Sequence, residues 1–164
     1  MNEREFFNQV TNSRSDFLHE FLQVLEETQA SFCVIGGLAV NAYAEPVISL
    51  DLDLVVIAEH LEALVVVLEH HFSVKRFPHS VNVYSAHSDL RIQIQTDARY
   101  QPFVARAESK TVLGYSMPVA ALEDVIRGKV WAFSDPTRRA SKRQKDLADV
   151  LRLVEAYPHL LSAL

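Results

Sequence analysis

Apolar residues near the start of the chain recur at the spacing of an amphipathic helix. Between positions 14 and 30, Phe17 and Phe21 lie four residues apart on one helical face, with Ser13 or Ser15 as the N-cap candidate. Further helices or helical turns, punctuated by proline, are predicted at 38–44, 59–71, 100–107, 120–133 and 138–156.

Short runs with strand character fill the middle of the chain. Residues 32–35 are an apolar run that ends at Gly36-Gly37. Residues 50–57 begin with polar alternation and become wholly apolar, which is typical of a central buried strand. Strands mixed with helices, and helices gathered at the C-terminus, predict an α/β or α+β fold with a mixed β-sheet flanked by helices. The remaining strands are predicted at 73–77, 81–85, 90–95 and, in two pieces, within 111–119.

The predicted organisation is a single domain over residues 1–164. It has an N-terminal helical segment at 1–31, a sheet core at 32–119 and C-terminal helices at 120–164. The composition is ordinary for a globular protein, with 49% hydrophobic and 23% charged residues. The one cysteine, Cys33, lies in an apolar run, so no disulfide is expected within one chain.

The formal net charge of -5 does not favour a general nucleic-acid binder, so a polyanion site is expected only as a local basic patch. Residues 1–10 are charged and lack the apolar core of a signal peptide. The apolar runs are also far shorter than a membrane span. A cytoplasmic location without membrane contact is therefore expected.

The Gly36-Gly37 pair is the first candidate for chemistry. A strand that ends in two glycines and opens a helix lets the backbone approach a ligand closely, and the helix N-terminus offers free N–H groups to a phosphate. The pair matches neither the dinucleotide fingerprint nor the P-loop pattern, and paired glycines also serve as plain turns.

Asp51 and Asp53 are the second candidate. Residues i and i+2 of a strand point to the same face, so the two carboxylates are expected side by side at the start of a buried strand. Adjacent buried negative charges need a positive partner, and a divalent metal such as Mg²⁺ (or Mn²⁺) supplies it while also binding phosphates. In the alternative interpretation, the strand start is exposed and both aspartates are solvated.

These motifs, with two later ones, resemble the nucleotidyltransferase superfamily, which has the polymerase-β-like fold. Within it, the order of motifs is more similar to bacterial domains grouped with the AbiEii-type toxins. The resemblance runs from about Phe32 to Leu153, which is most of the chain. The four motifs are Gly36-Gly37-Leu38-Ala39, Ser49-Leu50-Asp51-Leu52-Asp53, Leu122-Glu123-Asp124-Val125-Ile126-Arg127-Gly128-Lys129 and Lys145-Asp146-Leu147-Ala148-Asp149.

The resemblance implies a nucleotide site at the first two motifs. Gly36 and Gly37 would hold nucleotide phosphates, and Ser49 would bind a phosphate or steady the turn. Asp51 and Asp53 would bind the metal ion. The implied activity is transfer of a nucleoside monophosphate from a nucleoside triphosphate to an RNA, a protein or a small-molecule acceptor.

The resemblance also implies roles for the two later motifs. Lys129 would contact nucleotide phosphate, and Asp146 would orient Lys129 or a substrate hydroxyl. The implied catalytic residues are thus Asp51, Asp53, Lys129 and Asp146. Without the resemblance, Lys129, Asp146 and Asp149 are expected to be ordinary surface charges.

Two departures from the family pattern bear on activity. Active members usually carry a third carboxylate on a later strand, and Gln93 occupies the best-matching position, where its amide cannot act as a base. Asp89 and Asp97 lie nearby in sequence, and Val47 stands where an arginine often precedes the aspartate strand. The alternative is a catalytically degenerate binding or regulatory protein, for example one half of a toxin–antitoxin pair.

A basic cluster at the start of the last predicted helix has two interpretations. It is a contact for RNA, nucleotide phosphates or an acidic protein partner, or it is a solvated helix face in which Lys142 pairs with Asp146 at i+4. Basic charge near a helix N-terminus opposes the helix dipole, which favours the functional interpretation. The cluster consists of Arg138, Arg139, Lys142, Arg143 and Lys145.

Overall fold

A computed structural model of the chain describes residues 1–164, apart from the side chain of residue 163. The helices are α1 (Glu3–Val10), α2 (Phe17–Glu27), α3 (Gly36–Val40), α4 (Ala58–His71), α5 (Phe103–Arg106), α6 (Leu122–Ser134) and α7 (Ala140–Ala156), with 3-10 turns at Ala98–Tyr100 and Pro158–Ala163. The strands are β1 (Phe32–Ile35), β2 (Asp51–Val56), β3 (Ser73–Phe77), β4 (Ser80–Tyr84), β5 (Arg91–Gln95), β6 (Glu108–Val112) and β7 (Tyr115–Val119).

The N-terminal helices differ from the sequence prediction at their caps. The first, α1, was not predicted, although Asn2 and Glu5 form a reciprocal capping box that satisfies two free backbone N–H groups. The predicted Ser13 or Ser15 cap of α2 is wrong, because Asp16 is the N-cap and its carboxylate accepts a hydrogen bond from the His19 N–H.

The segment from 98 to 107 also differs from the prediction of one continuous helix. A 3-10 turn at Ala98–Tyr100 is followed by the single turn α5, and Pro102 is the residue that precedes this turn. Proline lacks a backbone N–H and fixes φ, so it suits the start of a helix better than its interior.

All seven described strands form one mixed sheet in the order β3-β4-β5-β2-β1-β7-β6. The centre of the sheet combines both directions, since β2 pairs antiparallel with β1 and parallel with β5. β1 and β2 lie at the centre of the sheet, with β7 beyond β1 and β5 beyond β2. The turn after β1 and the start of β2 therefore have strands on both sides. This topology places the glycine pair and the aspartate strand next to each other.

One cluster of buried apolar side chains supports the sheet and draws on all three predicted segments, for example Phe21, Leu54 and Leu153. The alternation along β2 buries Leu52 and Leu54 completely and leaves Asp51 and Asp53 half-buried on the opposite face. No helix among the described residues has the length and apolar character needed to cross a membrane.

Candidate active site

The two aspartates lie in a cleft of about 330 Å³ between the sheet and the C-terminal helices. The opposite wall comes from α6, α7 and the loop between them. The structure thus brings together most of the residues that the sequence singles out. The charged and glycine residues of the cleft are Gly36, Asp51, Asp53, Arg91, Gly128, Lys129, Arg138, Lys142 and Asp146.

Asp53 is at the centre of the arrangement. In the sheet register it stands opposite Ile35 of β1 on one side and Gln93 of β5 on the other. Gly36 follows directly after Ile35 and has a φ of +73°, a left-handed conformation. A Cβ at Gly36 would lie 2.5 Å from Asp53 Oδ2, so only glycine lets the backbone pass this close to the carboxylate.

Gly37 and Ser49 are not among the residues that line the cleft. A Cβ at Gly37 would be 3.8 Å from Asp149 Oδ2, an ordinary contact. The Ser49 hydroxyl is buried, accepts a hydrogen bond from the Asp51 N–H and donates one to the Asp51 carbonyl. These bonds support the interpretation in which Ser49 steadies the turn before β2.

Asp51 is held by two cations from opposite walls. Its Oδ1 lies 2.8 Å from Arg91 Nε, and its Oδ2 lies 3.5 Å from Lys142 Nζ. Asp53 makes no such close ion pair among the described residues. Asp51 is therefore neutralised by the protein itself, whereas Asp53 is not.

The pKa of Asp53 lies above its ordinary value. Burial is the main cause, and the neighbouring Asp51 adds to it, while Lys129 and the other cations of the cleft oppose the shift. The alternative interpretation with both aspartates fully solvated does not fit Asp53, because Asp53 lies inside the cleft and is only partly exposed. A cation close to Asp53 would favour its charged form.

Lys129 forms a buried ion-pair cluster between α6 and α7. Its Nζ lies 3.1 Å from Asp146 Oδ1 and 2.8 Å from Asp149 Oδ2, and its side chain is only 8% exposed. Burial alone would lower the pKa of Lys129, but Asp149 and Asp146 hold it above its ordinary value. The expectation that these three residues are surface charges is wrong, since all three are buried.

Arg138 completes this cluster at the cleft. Its Nε lies 2.6 Å from Asp146 Oδ2, so Asp146 is shared between Lys129 and Arg138. The predicted pairing of Lys142 with Asp146 is wrong, because Lys142 reaches across to Asp51 instead. The cations around α7 therefore connect the helix to the sheet and to the cleft.

The five residues of the basic cluster have different surroundings in the structure. Arg138 and Lys142 line the cleft, and the Arg143 Nε donates a hydrogen bond to the Phe133 carbonyl. Arg139 and Lys145 are exposed and lie outside the cleft lining. The cluster is therefore not one continuous patch of equivalent charges.

The structure supplies no carboxylate at the position where the family pattern expects a third one. Gln93 lies directly beside Asp53 in register and lines the cleft. Asp89 accepts a hydrogen bond from Asn12 Nδ2, Asp97 pairs with Arg99, and neither carboxylate lines the cleft. Within the part of the chain that is described, no group of three or more histidine, cysteine, aspartate or glutamate side chains is placed to hold a metal ion.

Several cleft residues were missed by the sequence reasoning. Arg91 and Gln95 lie on β5, which pairs with β2, and Asn82 and Tyr84 lie on β4, which pairs with β5. All four line the same cleft. The signal was present as period-two alternation, since Arg-Ile-Gln-Ile-Gln exposes every second residue on one face of β5. Recognising it required knowing that β5 is the parallel neighbour of β2.

Comparison with known proteins identifies the fold of the chain but assigns it to no sequence family. No family model matches the chain, and no curated protein sequence matches it. Solved structures do match. The lincomycin-bound lincosamide antibiotic adenylyltransferase LnuA superposes with a TM-score of 0.58 at 12% identity, covering 87% of this chain and 99% of that one. The fold is nucleotidyltransferase-like.

Two further structures support this assignment. ANT(2'')-Ia in complex with adenylyl-2''-tobramycin has a TM-score of 0.56 at 18% identity, covering 85% of this chain and 87% of that chain. An antigenic nucleotidyltransferase-like protein from Paracoccidioides brasiliensis has a TM-score of 0.53 at 16% identity, covering 81% and 71%. At these identities the likeness establishes the fold of the chain.

Proposed function

We propose that the chain transfers a nucleoside monophosphate from a nucleoside triphosphate to an acceptor, with a divalent metal at Asp51 and Asp53. The observation that carries the proposal is the convergence of Gly36, both aspartates and several cations in one cleft of a nucleotidyltransferase-like fold. A small-molecule acceptor is favoured over RNA or protein, since LnuA and ANT(2'')-Ia are named or described with small acceptors.

The cleft residues fit Mg²⁺ or Mn²⁺. Asp51, Asp53 and the amide oxygen of Gln93 are hard oxygen donors in register on adjacent parallel strands. The raised pKa of Asp53, caused mainly by burial, identifies a carboxylate that a cation would relieve. When bound, the metal ion would neutralise triphosphate charge and polarise the α-phosphate.

The residues of the chain then supply positioning and charge. Gly36 keeps the backbone clear for the phosphates, and the cations of the cleft balance the triphosphate. The acceptor oxygen forms a bond to the α-phosphorus as the bond to pyrophosphate breaks. Gln93 cannot take the acceptor proton, so we propose that the proton leaves to water.

We further propose that the ordered motifs reflect a relationship to AbiEii-type domains, with Lys129 and Asp146 as the late lysine and aspartate of that pattern. Gln93 favours a second candidate function. A chain that lacks the third acid can retain nucleotide binding while losing transfer, which would make it a binding or regulatory protein, for example in a toxin–antitoxin pair.

One experiment separates the two functions. The protein is incubated with α-labelled nucleoside triphosphates, Mg²⁺ or Mn²⁺, and fractions of cellular RNA, protein and small molecules. Transfer of label is expected, and Asp51→Asn or Asp53→Asn should reduce it by about a hundredfold or more because the metal contribution is lost. Asp89→Asn, which removes the same charge outside the cleft, should leave transfer unchanged.

The remaining outcomes are also decisive. Absence of transfer, combined with a higher melting temperature in the presence of nucleotide, would support the binding protein. Absence of both effects across the four nucleotides would reject both functions.

A further inference from the structure

Four basic residues just before α7 and in its first two turns face two directions. Arg138 and Lys142 are four positions apart and line the cleft. Arg139 and Lys145 are exposed and do not line it. Arg138 lies in the loop before α7 and Lys142 lies in the first turn of α7, and both reach the cleft, so the inward pair and the outward pair present their charges to different surroundings.

Arg91 adds a third cation from the opposite wall. It belongs to β5, and both Arg91 and Lys142 contact the carboxylate of Asp51. The side chains of Arg91, Arg138 and Lys142 are 56%, 38% and 35% exposed, so each keeps donors accessible to a ligand in the cleft. All three line the cleft that contains Asp51 and Asp53.

Lys129 differs from these three cations. Its ammonium group is buried between Asp146 and Asp149, and both contacts are short. Moving Lys129 toward a phosphate would leave two buried carboxylates without their shared partner, which is strongly unfavourable. Its position is suited to holding α7 against α6.

We infer that Arg138, Lys142 and Arg91 bind the triphosphate, and that Lys129 is a positioning residue that holds the wall carrying two of them. This inference rests on the proposed function and names its phosphate ligands. The guanidinium groups of Arg91 and Arg138 offer planar pairs of donors that match phosphate oxygens, and Lys142 adds a point charge.

The ion pairs of Asp51 have a further consequence. In the absence of metal, Asp51 and a triphosphate compete for Arg91 and Lys142. Replacing Asp51 with asparagine releases both cations. The variant should therefore bind a metal-free triphosphate more tightly than the wild type, although it loses the enhancement that Mg²⁺ provides.

Calorimetric titration with α,β-methylene analogues of the four nucleoside triphosphates tests the inference, because these analogues bind without transfer. With Mg²⁺, Arg138→Gln and Lys142→Gln should each weaken binding by about ten- to a hundredfold, the loss typical of a charge-assisted hydrogen bond. Arg139→Gln and Lys145→Gln make the same charge change outside the cleft and should alter binding by less than about twofold.

Two additional variants test the role of Arg138 in phosphate binding and the competition at Asp51. Arg138→Lys keeps the charge and should bind more tightly than Arg138→Gln, which a role in folding alone would not require. With EDTA, Asp51→Asn should tighten binding by about three- to fivefold, whereas Asp89→Asn should not.

The outcomes distinguish the inference from the function on which it rests. Equal effects of the inward and outward substitutions, with wild-type binding intact, would overturn the assignment of these cations and leave the proposed function standing. Unchanged metal-free binding in Asp51→Asn would overturn the competition at Asp51. Failure of the wild type to bind any analogue with Mg²⁺ would overturn both.

Discussion

Gly36 offers the sharpest test of how the cleft is built. Replacing it with alanine places a Cβ 2.5 Å from Asp53 Oδ2 and 3.1 Å from Asp53 Cβ. The substitution also puts a non-glycine residue at a φ of +73°. The backbone strain costs about 1–2 kcal/mol, and a displaced Asp53 rotamer adds about 0.5–1.5 kcal/mol.

Gly36→Ala should therefore lower the free energy of unfolding by about 1.5–3.5 kcal/mol, measured by urea denaturation. Gly37→Ala is the matched control, since its Cβ would make only an ordinary contact at 3.8 Å within a helix. Alanine is the better helix former, so Gly37→Ala should be neutral or stabilising by up to about 1 kcal/mol.

A double-mutant cycle separates the two components. In an Asp53→Ala background the carboxylate is absent, so Gly36→Ala should retain only its backbone cost. The coupling between the two positions is expected to be about 0.5–1.5 kcal/mol. Equal effects of Gly36→Ala and Gly37→Ala, or a coupling near zero, would refute the close approach of the Gly36 backbone to Asp53.

Three further predictions follow from the charges. Lys129→Met should destabilise the protein by about 3 kcal/mol in urea denaturation, at the lower end of the cost of breaking a buried ion pair, because Asp146 and Asp149 lose their shared lysine but keep Arg138 and Arg152. An effect as small as that of Lys145→Met would contradict this. Burial tends to raise the pKa of Asp16, but hydrogen bonds from Tyr115, the His19 N–H and Arg4 hold this pKa below its ordinary 3.8. The extra stability of wild type over Asp16→Asn should therefore be present at pH 7 and disappear as the pH falls through the lowered pKa. A stability difference that does not depend on pH would refute this prediction. Gln93→Asp should tighten Mn²⁺ binding by about tenfold or more by calorimetry, whereas Gln95→Asp, opposite Val55 rather than Asp53, should not; equal changes would argue against a metal at the aspartate pair.

The sheet was largely predictable from the sequence because its strands carry local signals. The run at 32–35 and the aspartate strand have the apolar patterns of central strands, and both were found within one residue of their observed ends. α1 was missed, since its signal is a capping box rather than a long apolar face. Where packing rather than pattern decides, as at the two short turns around Pro102, the boundaries were not predictable.

The residues of the candidate site were likewise predictable where local sequence fixes their positions, and not where packing does. Asp51, Asp53 and Gly36 were identified because adjacent residues on a strand and a turn have fixed relative positions. The burial of Lys129 with Asp146 and Asp149 depends on the packing of α6 against α7, which local sequence does not encode. Arg91 was missed because its contact with Asp51 exists only through the pairing of β5 with β2.

The absence of an acid at position 93 changes how the cleft is stabilised without ligands. A carboxylate there would lie beside the half-buried Asp53 and add repulsion to a group whose pKa burial already raises. Gln93 adds no such repulsion, and Arg91 on the same strand neutralises Asp51. Under the proposed function, Gln93 would weaken metal binding relative to a carboxylate, while the ion pairs of Asp51 stabilise the cleft without a ligand. A nucleotide-binding protein and a slow transferase both benefit from this arrangement. The metal dependence of binding, rather than the geometry of the aspartates, is thus the property that separates them.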